Sequence, residues 1–197
     1  MLEPIVVVKV GGSLFDLPEL GSRLTQWLAT FASAQILLVP GGGATVDVVR
    51  DLDRCHALGE EAAHWLALHA MTLNAYFLAS ILVSLKATVV SDFQECRLAW
   101  EREGLPVLDV FSFCRADDNH SDHLPHTWST TSDSIAARVA IRLNAQKLIL
   151  LKSRGVSKGD EWMSPAVGFV DPVFAPLITE VKLAGSALDV SAINFRD

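Results

Sequence analysis

"VVVKVGGSL" (Val6–Leu14) decides how the rest of the chain is read. Its valines run without polar alternation, the pattern of a strand covered on both faces. Lys9 interrupts them, and a charged amine at the end of a core strand is costly unless an anion meets it. Gly11 and Gly12 follow at once. Glycines let the backbone approach a ligand closely, and a following helix start offers it unsatisfied N–H groups. The stretch predicts a buried strand, Ile5–Val10, ending in an anion-binding turn.

The same pattern returns downstream. Leu17–Phe31 carries Leu20, Leu24, Trp27, Leu28 and Phe31 at helical spacing. Ile36–Val39 reads as a second strand ending at "PGGG" (Pro40–Gly43), with a helix over Ala44–Leu52. Either glycine cluster alone is explained by a tight strand–helix turn. Two of them on consecutive strands, with a lysine at one strand end, suggest a polyphosphate pocket at the carboxyl edge of a parallel sheet. GxxxxGK[ST] is absent, and "GGSLFD" lacks the GxGxxG spacing of a dinucleotide fingerprint.

Further along, Glu60–Leu85 is helical and nearly apolar all round, so the domain or a second subunit must cover it. Thr88–Val90 and Val107–Val110 read as strands, with a helix over Asp92–Glu103 between them. Arg115–Thr131 is a long polar loop, Ser132–Leu143 a helix and Lys147–Leu151 a buried strand. Phe174–Leu183 reads as a helix and Leu188–Ile193 as a last strand. No repeat or linker divides the chain, so residues 1–197 are expected to form one domain with a mainly parallel sheet covered on both faces.

Composition excludes several classes. Half of the 197 residues are hydrophobic, a fifth are charged, and the formal charge of −7 comes with no basic block. Non-specific nucleic-acid binding needs a concentrated positive surface and is not expected. Cys55, Cys96 and Cys114 form no CxxC pair, which fits a reducing cytoplasm better than a zinc ribbon or disulfide framework. The start of the chain lacks the pattern of a signal peptide. The apolar run Ala62–Leu85 holds His64, His69, Thr72, Asn74 and two serines, a buried helix rather than a membrane span. The expectation is a soluble cytoplasmic protein.

Three further groups of residues can carry chemistry. Thr131, Ser132, Asp133 and Ser134 crowd a helix start. N-capping accounts for one such residue; Asp133 could also hold phosphate-binding lysines in position, or bind magnesium through water. Lys152, just past a strand, and Lys158 could each put a second ammonium on a transferring phosphoryl group, or be ordinary solvated lysines. The loop holds His120, His123 and His126, spaced by three, among Asp117, Asp118 and Asp122. It could bind zinc, cover a substrate through His126 or Trp128, or be structural. Pro125 forbids a regular helix face, so no dedicated metal site is expected. His64 and His69 read as satisfied core or interface histidines.

In order, "KVGGSL", "PGGG", "TSDSIAARVA" and the strand before Lys152 resemble the amino acid kinase superfamily, which includes aspartate, glutamate and uridylate kinases. "LPHTWSTTSDSIAARVA" (Leu124–Ala140) is similar to a narrower branch containing the kinase of an aminomethylfuranmethanol phosphate in methanofuran synthesis. The resemblance implies a three-layer αβα sandwich, with ATP and Mg²⁺ over the carboxyl edge of the sheet and transfer to a small anionic acceptor. It implies that Lys9 touches the transferring phosphate, that Gly11, Gly12 and Ser13 line the phosphates with Ser134 and Lys158 on the nucleotide side, and that Gly41, Gly42 and Gly43 serve the acceptor. Asp133 matches the family's lysine-organising acid, and Lys152 its second phosphate lysine. Many relatives have an Asp-x-Asp-Gly turn where this chain has Ser153-Arg154-Gly155. The expected function is an ATP-dependent small-molecule kinase acting as a homodimer or larger homo-oligomer. The alternative is a non-catalytic nucleotide- or oxyanion-binding protein on the same fold.

Overall fold

The structure, a computed structural model, describes residues 3–31, 33–155, 160–163 and 167–196. Six strands form one sheet: β1 (Ile5–Val10), β2 (Gln35–Pro40), β3 (Thr88–Val90), β4 (Pro106–Leu108), β5 (Lys147–Lys152) and β6 (Asp189–Asn194). Their order is β3-β4-β2-β1-β5-β6, and every neighbouring pair is parallel. The helices are α1 (Leu20–Leu28), α2 (Gly43–His56), α3 (Glu60–Ile81), α4 (Phe93–Glu101), α5 (Val110–Asp117), α6 (Ser132–Arg142) and α7 (Phe174–Leu183).

Strand β1 lies centrally, between β2 and β5, and residues 6–10 are all buried. Side chains alternate across a strand. Val6, Val8 and Val10 therefore meet Leu20, Leu24 and Leu28 of α1 on one face, together with Ala75, Leu78 and Leu82. Val7 faces the other way, toward Ile135, Ala136, Val139 and Ala140 of α6. This is a helix–sheet–helix sandwich, the expected α/β class. Lys9 shares the face of Val7, and so rises toward α6.

Two predicted elements differ. The stretch expected as a strand to Val110 ends at Leu108, and a helix, α5, takes part of the segment read as loop. Asp109 makes that change: it caps α5 by accepting from Ser112 N at 3.3 Å and Ser112 Oγ at 2.6 Å. The long apolar helix stops at Ile81, and a short 3₁₀ turn covers Val83–Leu85. Among the described residues, no helix is long and apolar enough to cross a membrane.

Candidate active site

At the carboxyl edge of β1 and β5, three ionised side chains converge. Asp133 sits in the first turn of α6 and is 4 % exposed. Its Oδ2 accepts from Lys152 Nζ at 2.6 Å, and its Oδ1 faces Lys9 Nζ at 2.9 Å. The Lys9 approach is close enough for an ion pair but lacks the angle of a directed hydrogen bond. Lys152 Nζ also donates to Phe169 O at 2.8 Å and lies over the Phe169 ring.

Two buried ammoniums share one carboxylate, so the cluster carries a surplus positive charge. Burial would raise the Asp133 carboxyl, but Lys9 and Lys152 outweigh it and hold the group below the usual carboxylate range. Lys152 is pushed down to about 8, by burial first and by the nearby Lys9 ammonium second; Asp133 opposes both. An anion arriving here would relieve that strain.

The glycine turns stand beside this cluster and touch each other. A Cβ on Gly12 would lie 2.1 Å from Gly43 N, and one on Gly41 would lie 2.4 Å from Gly12 N. Gly43 adopts φ +58°, a left-handed conformation that suits glycine. The two backbones can abut only without side chains. Asn74, buried on α3, holds the second turn by donating to Gly41 O and Gly42 O, each at 2.7 Å. No side chain caps the N-terminus of α2 at Gly42, which leaves its dipole and N–H groups for an anion. Ser13 Oγ, beyond the first turn, pairs with Ser153 Oγ at 2.7 Å and ties that turn to the end of β5.

A cavity of about 150 Å³ opens from the second turn. Gly42, Gly43 and Ser132 line one part of it; Arg50, His64 and Trp128 line others. Trp128 is fixed by donating Nε1–H to Asp53 Oδ2 at 2.8 Å, with the Arg50 guanidinium over its ring. Burial, and then the neighbouring His126, push His64 down to about 4, so it is neutral near pH 7.

The amino acid kinase family model matches residues 4–160. The chain belongs to the amino acid kinase family. The [5-(aminomethyl)furan-3-yl]methyl phosphate kinase of Methanocaldococcus jannaschii is 27 % identical over 145 residues, covering 73 % of this chain and 63 % of that relative. The chain therefore spans less than two thirds of that relative's length. Among solved structures, UMP kinase from Ureaplasma parvum gives a TM-score of 0.68 at 14 % identity, covering 99 % of this chain and 91 % of that one. UMP kinase from Bacillus anthracis gives 0.67 at 14 % identity, covering 100 % and 89 %. Uridylate kinase from Archaeoglobus fulgidus gives 0.62 at 18 % identity, covering 96 % and 90 %. At these identities the likeness is one of fold.

Of the residues anticipated for an amino acid kinase site, Lys9, Asp133, Lys152 and both glycine turns gather at one edge of the sheet. Ser134 stands apart: it is fully buried and its hydroxyl is held by Asp171. His126 lies beside the cavity, with Nε2 3.0 Å from Asp118 Oδ1 and its ring stacked on His64. Lys158 lies outside the described residues. Sequence reasoning missed Asn74, whose only trace is a polar residue on an apolar helix. It also missed Asp171, which caps two helices by accepting from Thr131 N and Ser134 N of the α6 start and from Val173 N and Phe174 N of α7.

Proposed function

We propose that this protein is an ATP-dependent, Mg²⁺-requiring kinase that passes the γ-phosphoryl group to a small anionic acceptor, a carboxylate or phosphate. The observation that carries the reading is the buried Lys9–Asp133–Lys152 cluster beside two abutting glycine turns. Phosphoryl transfer needs alignment and neutralisation of charge far more than covalent help. Lys9 and Lys152 supply two ammoniums for the equatorial oxygens, and Asp133 fixes their positions. Gly11 N and Gly41 N bond to Leu151 O and Val10 O, so the N–H groups of Gly12 and Ser13 are the ones suited to the nucleotide phosphates, and those of Gly42 and Gly43 to the acceptor. Both Asp133 oxygens face lysines, so a Mg²⁺ accompanying the nucleotide would be held through phosphate oxygens and water rather than directly by this carboxylate. When bound, that ion offsets charge on the phosphates.

The acceptor cavity, with the Arg50 cation and the flat surfaces of Trp128 and His64, suits a small ring bearing an anion. On this basis, and on the likeness to the M. jannaschii enzyme, [5-(aminomethyl)furan-3-yl]methyl phosphate is the first acceptor to try. A phosphate monoester is already ionised, so no general base is needed. The setting proposed is cytoplasmic. The outer side of α3 leaves Leu66, Leu73 and Tyr76 exposed, with Val48 and Leu52 of α2 exposed as well, a surface suited to a second copy. A monomer in sedimentation at micromolar concentration would count against that assembly.

The test of function is a panel of phosphate monoesters and amino acids, each incubated with ATP, Mg²⁺ and the protein. ADP formation that depends on a panel member, with the phosphorylated product found by mass spectrometry, is expected. ATP binding without transfer to any acceptor would favour a non-catalytic nucleotide binder.

A further inference from the structure

Away from the phosphate cluster, the loop after α5 brings together donors of a different chemical kind. Asp118, His123 and His126 each place one ligand atom within 4.8 Å of the others. The closest pair, Asp118 Oδ1 and His126 Nε2, is 3.0 Å apart. Tetrahedral zinc, with bonds of about 2.0–2.2 Å, sets its donors roughly 3.3–3.6 Å apart. Closing the largest separation to that spacing requires a shift of about 1 Å, and His123, an exposed side chain held through its ring by one contact to Leu124 O, is the donor placed to make it.

Contacts around these donors resemble the surroundings of a metal ligand. Glu61 Oε1, on an exposed side chain, is 3.8 Å from His126 Nδ1, the nitrogen turned away from Asp118, so it must move roughly 1 Å closer to hydrogen-bond the ring. A carboxylate behind a metal-binding imidazole orients the ring and raises its basicity. Leu124 O lies 2.9 Å from His123 Nδ1. A metal taken at Nε2 keeps that contact as an orienting hydrogen bond, and one taken at Nδ1 displaces it. The segment is pinned on both sides of Asp118, because Asp117 and Asp122 each bind the buried Arg138 at 2.8 Å. A void of about 10 Å³, room for about one water or ion, adjoins the two histidines; His64, Cys114, Asp117, His123 and His126 line it, and Asp118 lies outside its lining.

We propose that Asp118, His123 and His126 bind one divalent cation of the borderline d-block class, Zn²⁺ foremost, with the fourth position left to water. Two imidazoles and one carboxylate suit such an ion and not Mg²⁺, which takes oxygen ligands in an octahedron. The site is thus separate from any Mg²⁺ accompanying nucleotide, and it does not depend on the phosphotransfer reading. His126 leads directly into Thr127 and Trp128 of the cavity wall, and His64 lines both the cavity and the void. A bound ion would therefore fix the wall of that cavity. His120, though spaced regularly with the other two, turns to Arg142 at 2.6 Å and takes no part.

Untagged protein, stripped with chelator, is titrated with Co²⁺ alone and followed by visible absorption. The expected result is one saturable equivalent with the intense bands of tetrahedral cobalt, displaced by Zn²⁺. His123→Ala and Asp118→Asn should each weaken binding at least roughly tenfold, while His120→Ala leaves it within about twofold. Thermal melting of each variant checks folding, and His123, being exposed, can be removed without disturbing the core. Absence of a saturable equivalent, octahedral-type bands, equal binding by His123→Ala, or an equal loss in His120→Ala would overturn the assignment.

Discussion

Replacing Asp133 with asparagine removes the carboxylate that two buried lysines share. Lys9 and Lys152 would then face each other at ion-pair distance from a neutral amide, with side chains only 6 % and 12 % exposed. Breaking a buried pair from one side costs about 3–5 kcal/mol. The lower end applies here, because Lys152 has an escape. Its pKa is already down at about 8, and Asp133 is the group that opposes that fall. Without it, Lys152 sheds its proton by pH 7, one unit below its present pKa, for about 1.4 kcal/mol. The sign of the pH dependence follows. The unfolded lysine keeps its proton up to its ordinary pKa of about 10.4, so the unfolded state binds more protons and stability rises with pH. In the native protein that rise begins near pH 8; in the variant it begins below pH 7. The deficit should therefore be about 3 kcal/mol at pH 7 and should narrow by about 1.4 kcal/mol by pH 9. Urea unfolding followed by tryptophan fluorescence at both pH values measures it. A deficit below about 1 kcal/mol, or one equal at the two pH values, would refute the shared-carboxylate reasoning.

Other outcomes follow from the same contacts. For the free enzyme, kcat/KM should be maintained below pH 8 and fall above it as Lys152 loses its charge. Lys152→Arg should move that limb upward if any activity survives, and a limb that stays in place would assign it to another group. Asp171→Ala removes an acceptor from the starts of α6 and α7 together, leaving α6 with only the Thr131 cap, and at about 0.5–2 kcal/mol per cap should cost roughly 1–3 kcal/mol in thermal or urea unfolding. A loss below about 0.5 kcal/mol would mean that water replaces both caps.

The edge of the sheet that holds the cluster was legible because each part announces itself locally. A lysine in a valine strand, glycines after strands and a lone acid at a crowded helix start are all departures from what packing alone requires. The αβα layering was legible for a similar reason, since apolar strands without alternation demand cover on both faces. What escaped was set by contacts far apart in sequence. Asp171 reaches Thr131 across forty positions, and Asn74 reaches Gly41 across thirty-three. Nothing near either residue reveals its partner. Helix α5 was hidden because "DVFSFC" (Asp109–Cys114) has the β-branched and aromatic look of a strand, and only the Asp109 cap, seen in place, decides for helix. Likewise the regular spacing of His120, His123 and His126 in sequence does not carry over into space, where His120 turns to Arg142 while Asp118 lies beside His126.

The most direct test is calorimetric titration of a non-hydrolysable ATP analogue with Mg²⁺ into the native protein and into Lys9→Ala at pH 7. One site is expected in the native protein, with an affinity at least roughly tenfold weaker in the folded variant, as follows when a charged partner of about 1.5–3 kcal/mol is lost. Equal affinity in the two proteins, or no binding to the native protein, would contradict that expectation.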